Sequence, residues 1–259
     1  MHIETLTVSA TAAATTGTAA TAIGTDSLVV KNGRGAIDIL SCWQSNQTAG
    51  FGQIAFPTAH DTTRGYRAGA AIGLNTAMIP LGQKMKVTAQ ETIAPTIGAT
   101  AVAGDVEQMT MLIRYTDFPG INARLITPSQ LDSQLIKYTT IENSLASTAG
   151  PSYGTPETFL ADSDLLIANR DYAILGMSSR TLVHQIYAQT PDAGNVRFSC
   201  PGVLRQELTS QWFVMLSRAH GEGLIPVFNS GNKNQCFVGV TTDENAGTFV
   251  VTLYLALLR

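Results

Sequence analysis

Residues 248–259 (TFVVTLYLALLR) place Phe249, Val251, Leu253, Leu255 and Leu257 at every second position, with Thr248, Thr252 and Ala256 on the other parity. A period of two is the signature of a strand with one face in a core. Residues 106–115 (VEQMTMLIRY) have the same build, Met109, Met111, Ile113 and Tyr115 alternating with Gln108, Thr110 and Arg114. Two long one-faced strands, each at the end of a similar run of shorter segments, point to one domain plan written twice.

The shorter segments read as strands at residues 2–8, 27–30, 36–43, 51–56 and 84–89, and again at 135–141, 164–167, 172–177, 181–188, 196–199, 212–217 and 235–240. Lys31-Asn32-Gly33-Arg34-Gly35 lies between two of them and predicts an Asn-Gly hairpin. Residues 93–104, rich in Pro, Gly and Ala, read as a long loop, and Asp117-Phe118-Pro119-Gly120 as a turn. Three short helical pieces are expected: residues 128–135, with Thr127 as cap and Pro128 in the first turn, a second cap-like start at Thr155-Pro156-Glu157, and a link at 203–208. Residues 9–24 (SATAAATTGTAATAIG) carry no charge and suit either close backbone packing or a mobile linker.

The landmarks recur in order: Ile3 with Ile136, Leu28 with Leu165, Asn32 with Asn169, Ile79-Pro80 with Ile225-Pro226, and Val106 with Thr248. A repeat this long exceeds a solenoid or propeller unit and matches a two-sheet β domain. The expected fold is all-β, two consecutive β-sandwich or barrel domains at residues 1–127 and 128–259, joined by short helical connections.

Charged residues make up 14% of the chain and the net charge is -3, against about 25% charged in an ordinary soluble domain. Without a Lys/Arg cluster, direct nucleic-acid binding is not expected. Cys42, Cys200 and Cys236 are odd in number and widely spaced, which excludes a disulfide framework and CxxC chemistry and leaves buried thiols. His2, His60, His184 and His220 stand singly, without the paired spacing of a zinc site. His60-Asp61 reads as loop surface, and Asp162-Ser163-Asp164 and Asp243-Glu244-Asn245 as turn formers rather than calcium ligands. No nucleophile elbow, Walker A or Rossmann pattern occurs. No catalytic, cofactor-binding or metal residue is assigned, no cofactor is expected, and the chain is read as a non-enzyme. The opening MHIETLTVSA lacks the basic and apolar regions of a secretion signal, and no apolar run approaches the ~18 residues of a membrane span, which points to folding in the cytosol.

Two consecutive low-charge β domains with Thr/Ala/Gly loops, paired long strands at 106–115 and 248–257, paired Ile-Pro entries and repeated opening strands resemble the double jelly-roll major capsid proteins of tailless icosahedral bacteriophages with an internal membrane. The resemblance spans the whole chain and is architectural. It implies a homotrimer with a pseudo-hexameric outline, barrels upright in an icosahedral shell, and a place in the virion after synthesis in the host cytoplasm. It also implies neighbouring capsid subunits, minor capsid or penton proteins and an internal lipid membrane as partners. The alternative is a carbohydrate- or receptor-binding β-sandwich of spike or fibre type, in which exposed Trp43, Trp212 or Tyr66 forms a stacking platform.

Overall fold

The computed structural model describes residues 2–11, 15–30, 35–45, 49–57, 65–70, 76–99, 106–115, 123–147, 150–159, 165–181, 183–202, 206–242 and 247–259. It is mostly β. The first half contributes β1 (His2–Thr11), β2 (Thr18–Ala19), β3 (Thr21–Ala22), β4 (Ile37–Ser45), β5 (Gly50–Ala55), β6 (Tyr66–Ala70), β7 (Thr76–Ala77), β8 (Met85–Val87), β9 (Ala94–Ala99) and β10 (Val106–Tyr115). The second contributes β11 (Leu125–Ile126), α1 (Pro128–Gln134), β12 (Leu135–Ser147), β13 (Glu157–Thr158), β14 (Asp171–Ser179), β15 (Gln185–Gln189), β16 (Arg197–Pro201), α2 (Gln206–Thr209), α3 (Trp212–His220), β17 (Ile225–Asn229), β18 (Phe237–Thr241) and β19 (Gly247–Leu258).

Four sheets result. Sheet I runs β3-β1-β10-β4-β7, with β8 also on β4, and sheet II runs β2-β9-β5-β6. Sheet III runs β13-β18-β15-β16 and sheet IV runs β11-β17-β14-β19-β12. The order β1-β10-β4-β8 of the first half returns as β12-β19-β14-β17, and β2-β9-β5-β6 as β13-β18-β15-β16. In each half the antiparallel pairs nest like one long hairpin: β1 with β10, β2 with β9, β4 with β8, β5 with β6. Rolling that hairpin on itself lands alternate pairs in two facing sheets, which share a core of Leu6, Ile39, Met109, Ile54 and Ile97.

The repeat extends to register. Met111 lies between Leu6 and Cys42, as Leu253 lies between Ile141 and Met177. Leu40 is the residue skipped by a β-bulge between β4 and β10, and Leu175 is skipped at the same place between β14 and β19. A bulge bends and twists the strand that carries it, so both halves curl their sheets at one equivalent point. This register matches Ile3 with Tyr138 rather than Ile136. It matches β17 with β8, so Ile225-Pro226 opens a strand while Ile79-Pro80 lies in the bend before one.

Several sequence expectations are corrected. Residues 212–217 form a helix, α3, not a strand; a short continuous apolar run does not declare its period. Gly221 ends α3 at φ +67, the left-handed conformation that glycine adopts without a Cβ clash, with Glu222 N–H bonding Ser217 O. Residues 27–30 do not form a hairpin with β4. Val29 bridges to Thr92 and Val30 N–H bonds Glu91 O, because both flanks of β4 are taken by β10 and by β7 and β8. The turn residues 31–34, and those at 117–120, lie outside the described residues. The loop expected at 93–104 contains β9, where Gly98 leaves room for the Phe51 ring lying across it. Thr155-Pro156-Glu157 starts no helix and leads into β13, and residues 165–167 form no strand. The helix at 128 forms as expected, with a complete capping box between Thr127 and Gln130. Within 9–24 the described part is ordered: β2 and β3 pass from sheet II to sheet I across the single residue Ala20.

Candidate functional site

The two halves meet along a polar seam. Every residue of β4 and β10 is buried, so sheet I is covered on both faces. One face belongs to the first core, and the other, bearing Ile3, Thr5, Thr7, Gln108, Thr110 and Trp43, meets sheet III and α3. Thr5 Oγ1 lies 2.8 Å from Ser199 Oγ, Gln185 Nε2 donates to Thr7 Oγ1 at 2.8 Å, and Gln108 Nε2 donates to Thr242 O at 2.6 Å. The layers therefore run II, I, III, IV.

His184, 1% exposed, sits mid-seam with Nδ1 2.6 Å from Ser45 Oγ and Nε2 2.8 Å from Thr110 Oγ1. A neutral imidazole offers one donor and one acceptor, and two hydroxyls complement it in either tautomer. Burial pushes its pKa down to about 3. Thr110 Oγ1 continues to Thr7 Oγ1 at 3.1 Å, and Thr7 Oγ1 lies 3.1 Å from the Tyr153 hydroxyl. Tyr153 donates its proton to Asp26 Oδ2 at 2.5 Å, and Arg197 Nη2 reaches Asp26 Oδ1 at 2.6 Å. Burial raises the Asp26 carboxyl, with Tyr153, the Thr7 N–H and Arg197 all opposing the rise. The Arg197 guanidinium stands 3.8 Å over the Tyr153 ring. At the far end Arg114 pairs with Asp38 and Glu222, His220 Nε2–H donates to Leu40 O at 3.0 Å, and Trp43 meets Trp212 edge-on with ring centroids 5.9 Å apart.

Groups available for solution chemistry are dispersed. Cys42, Cys200 and Cys236 are free and buried, and burial pushes all three thiols up, Cys236 to about 12. His184 and His220 belong to the seam, and His60-Asp61, Asp162-Ser163-Asp164 and Asp243-Glu244-Asn245 lie outside the described residues. Among the described residues no three of His, Cys, Asp and Glu gather as a metal site, and no helix is long and apolar enough to cross a membrane. Trp43 and Trp212, at 1% and 5% exposure, pack on each other and present no stacking platform; Tyr66 is half-buried.

One open surface lies on the outer face of sheet IV. Among the described residues its edge strand β12 pairs only with β19, and it exposes Ile136 and Tyr138, at 51% and 64%. A cleft of about 610 Å³ runs beside it, lined by Leu131, Asp132, Tyr138, Thr140, Arg218 and Tyr254. Sequence reasoning missed the seam altogether. The available signal was the chemistry of the second face of β10, whose Gln108, Thr110 and Leu112 are too neutral for an ordinary wet surface.

No protein-family model and no curated protein matches the chain. Among solved structures it is similar to the crystal structure of the PBSX exported protein XepA, at 10% identity over 98% of this chain and 86% of that one, with a TM-score of 0.28. A likeness that slight carries no argument about fold or function.

Proposed function

We propose that each half is a jelly roll and that the chain is a shell-forming capsid subunit, structural rather than catalytic. The observation that supports it most is the doubled nested-hairpin strand order, the arrangement by which an eight-stranded chain curls into two packed sheets. Fusing two such rolls through a hydrogen-bonded seam makes one stiff block, and a shell needs blocks that do not flex. The low charge supports the same reading. Weak lateral contacts made through Thr, Asn, Gln and Ser avoid ordering long charged side chains, which costs up to ~2 kcal/mol each. In this proposal three copies make a pseudo-hexameric capsomer, and minor capsid proteins and an internal membrane are further partners.

The test is the mass of the purified chain by size-exclusion chromatography with light scattering across a concentration series, followed by negative-stain microscopy. Trimers or shell fragments support the reading. A monodisperse monomer at high concentration overturns it.

A further inference from the structure

The outward face of sheet III, buried in the seam, has a counterpart on sheet II that faces away from the molecule. In sheet III, Tyr187 lies across Gly239 and Gln189 stands opposite Arg197 on the next strand. In sheet II, Phe51 lies across Gly98 and Gln53 stands opposite Arg67. The four positions are register equivalents: aromatic, glutamine, arginine and glycine. Tyr187 is 2% exposed because sheet I covers it, and Arg197 takes its carboxylate, Asp26, from the first half. Phe51 is half-buried and Arg67 exposed. The Arg67 guanidinium is 2.7 Å from Gln53 Oε1 and 3.9 Å over the Phe51 ring, and among the described residues it meets no carboxylate.

The face that covers sheet III has its own open counterpart. Ile3, Thr5 and Thr7 of β1, buried in the seam, correspond in register to Tyr138, Thr140 and Glu142 of β12, and Thr110 corresponds to Thr252. Tyr138 and Thr140 are exposed, while Glu142 is half-buried, hydrogen-bonded to Thr252 and paired with exposed Arg180. Thr7 is the residue whose N–H binds Asp26. Glu142, at the matching position, brings a carboxylate to the neighbourhood that Asp26 occupies in the seam.

We propose that a second copy of this chain docks here, the Tyr138–Thr140–Glu142 face of one copy covering the Phe51–Gln53–Arg67 face of the next, so that the seam between halves is repeated between chains. The idea deepens the shell-subunit reading and rests on it for self-association. The contact joins two different faces, so it is heterologous and propagates around a ring that closes when its rotation permits. Each chain then presents four stacked sheets with one docking face at either end of the stack. Arg67 gains the carboxylate that its equivalent Arg197 already has.

Two surface variants test it. Arg67→Glu blocks one face and Tyr138→Glu the other, each expected to weaken self-association at least about tenfold. An equimolar mixture retains one good contact per pair, so light scattering should show a dimer and nothing larger. Independently, a variant carrying both Arg67→Cys and Glu142→Cys should cross-link into covalent oligomers on mild oxidation. If both Glu variants assemble as the parent does, or the cysteine variant oligomerises without cross-linking, this assignment of faces is overturned while the shell reading stands. If the parent chain is monomeric at every concentration, both fall.

Discussion

Replacing His184 by Gln should change how the protein responds to acid more than how stable it is at neutral pH. The imidazole is buried between Ser45 and Thr110, and its folded-state pKa of about 3 lies below the ordinary 6.5. The group is therefore neutral in the folded protein over the whole range between these values, while the unfolded chain takes up a proton there. Stability from this group is fully present above pH 6.5 and is lost as pH falls toward 3, at about 1.4 kcal/mol per unit. At pH 5 the unfolded chain has gained about 2 kcal/mol that the folded chain has not. Glutamine has one donor group and one acceptor, so it can hold part of the bridge between the two hydroxyls. The substitution should cost about 1–2 kcal/mol at pH 7.5. Urea unfolding at pH 7.5, 6.5, 5.5 and 5.0 should then show wild type ahead at the alkaline end and the two curves meeting near pH 5. His220 at the far end of the seam, also lowered chiefly by desolvation, titrates in both proteins and cancels in the difference. Curves that stay parallel to within about 0.5 kcal/mol across the series would refute the claim that His184 enters the seam neutral and stays so.

Asn143 is 2% exposed on the core side of β12, and among the described residues neither polar atom of its amide has a hydrogen-bond partner; Asn143→Leu should raise stability by about 1–3 kcal/mol in the same urea assay. Gly239→Ala should be more damaging than Gly98→Ala: both new methyl groups overlap an aromatic ring, but Tyr187 is locked in the seam and Phe51 is free to swing outward. Calorimetry giving the opposite order would contradict that reading. Deleting residues 249–259 removes β19, the strand between β12 and β14, with five inward apolar side chains worth roughly 1.5–3 kcal/mol each; the expected result is no soluble second half, seen as loss of the native fluorescence of Trp212 and of any assembly.

The two long strands, the recurring order of segments and the first helix were legible because each is written locally, in period two, in recurring order and in a capping box, although β10 is buried on both faces rather than one. What was not legible depends on partners distant in sequence. The Asn-Gly turn proposed a hairpin for β4, but β10 and β8 offered longer pairing, and a turn signal carries no information about that competition. Residues 212–217 looked like a strand because their apolar run is as short as one, and only Gly221 and the basic residues Arg218 and His220 near the end hinted at a helix. The β9 segment was hidden by Pro95 and Gly98. The glycine is there because a ring from β5 crosses it, a cause invisible without knowing that β5 and β9 pair.

The comparison between halves separates what the fold demands from what the neighbours demand. At several inward positions the repeat keeps the same kind of residue: Leu6 and Ile141, Met111 and Leu253, Cys42 and Met177. At outward positions it keeps Thr5 with Thr140 and Thr110 with Thr252 but changes Ile3 to Tyr138 and Thr7 to Glu142. Thr5 and Thr7 of β1 are uncharged and pair side chain to side chain under sheet III, whereas their equivalents on β12 include Glu142, with Lys137 and Tyr138 nearby. A buried face must satisfy every polar group within a fixed geometry, since each one left unpaired costs about 1–3 kcal/mol. An open face is free to carry charge and aromatic area that water or a partner can take up. The two faces of one repeated strand have thus been chosen under different constraints.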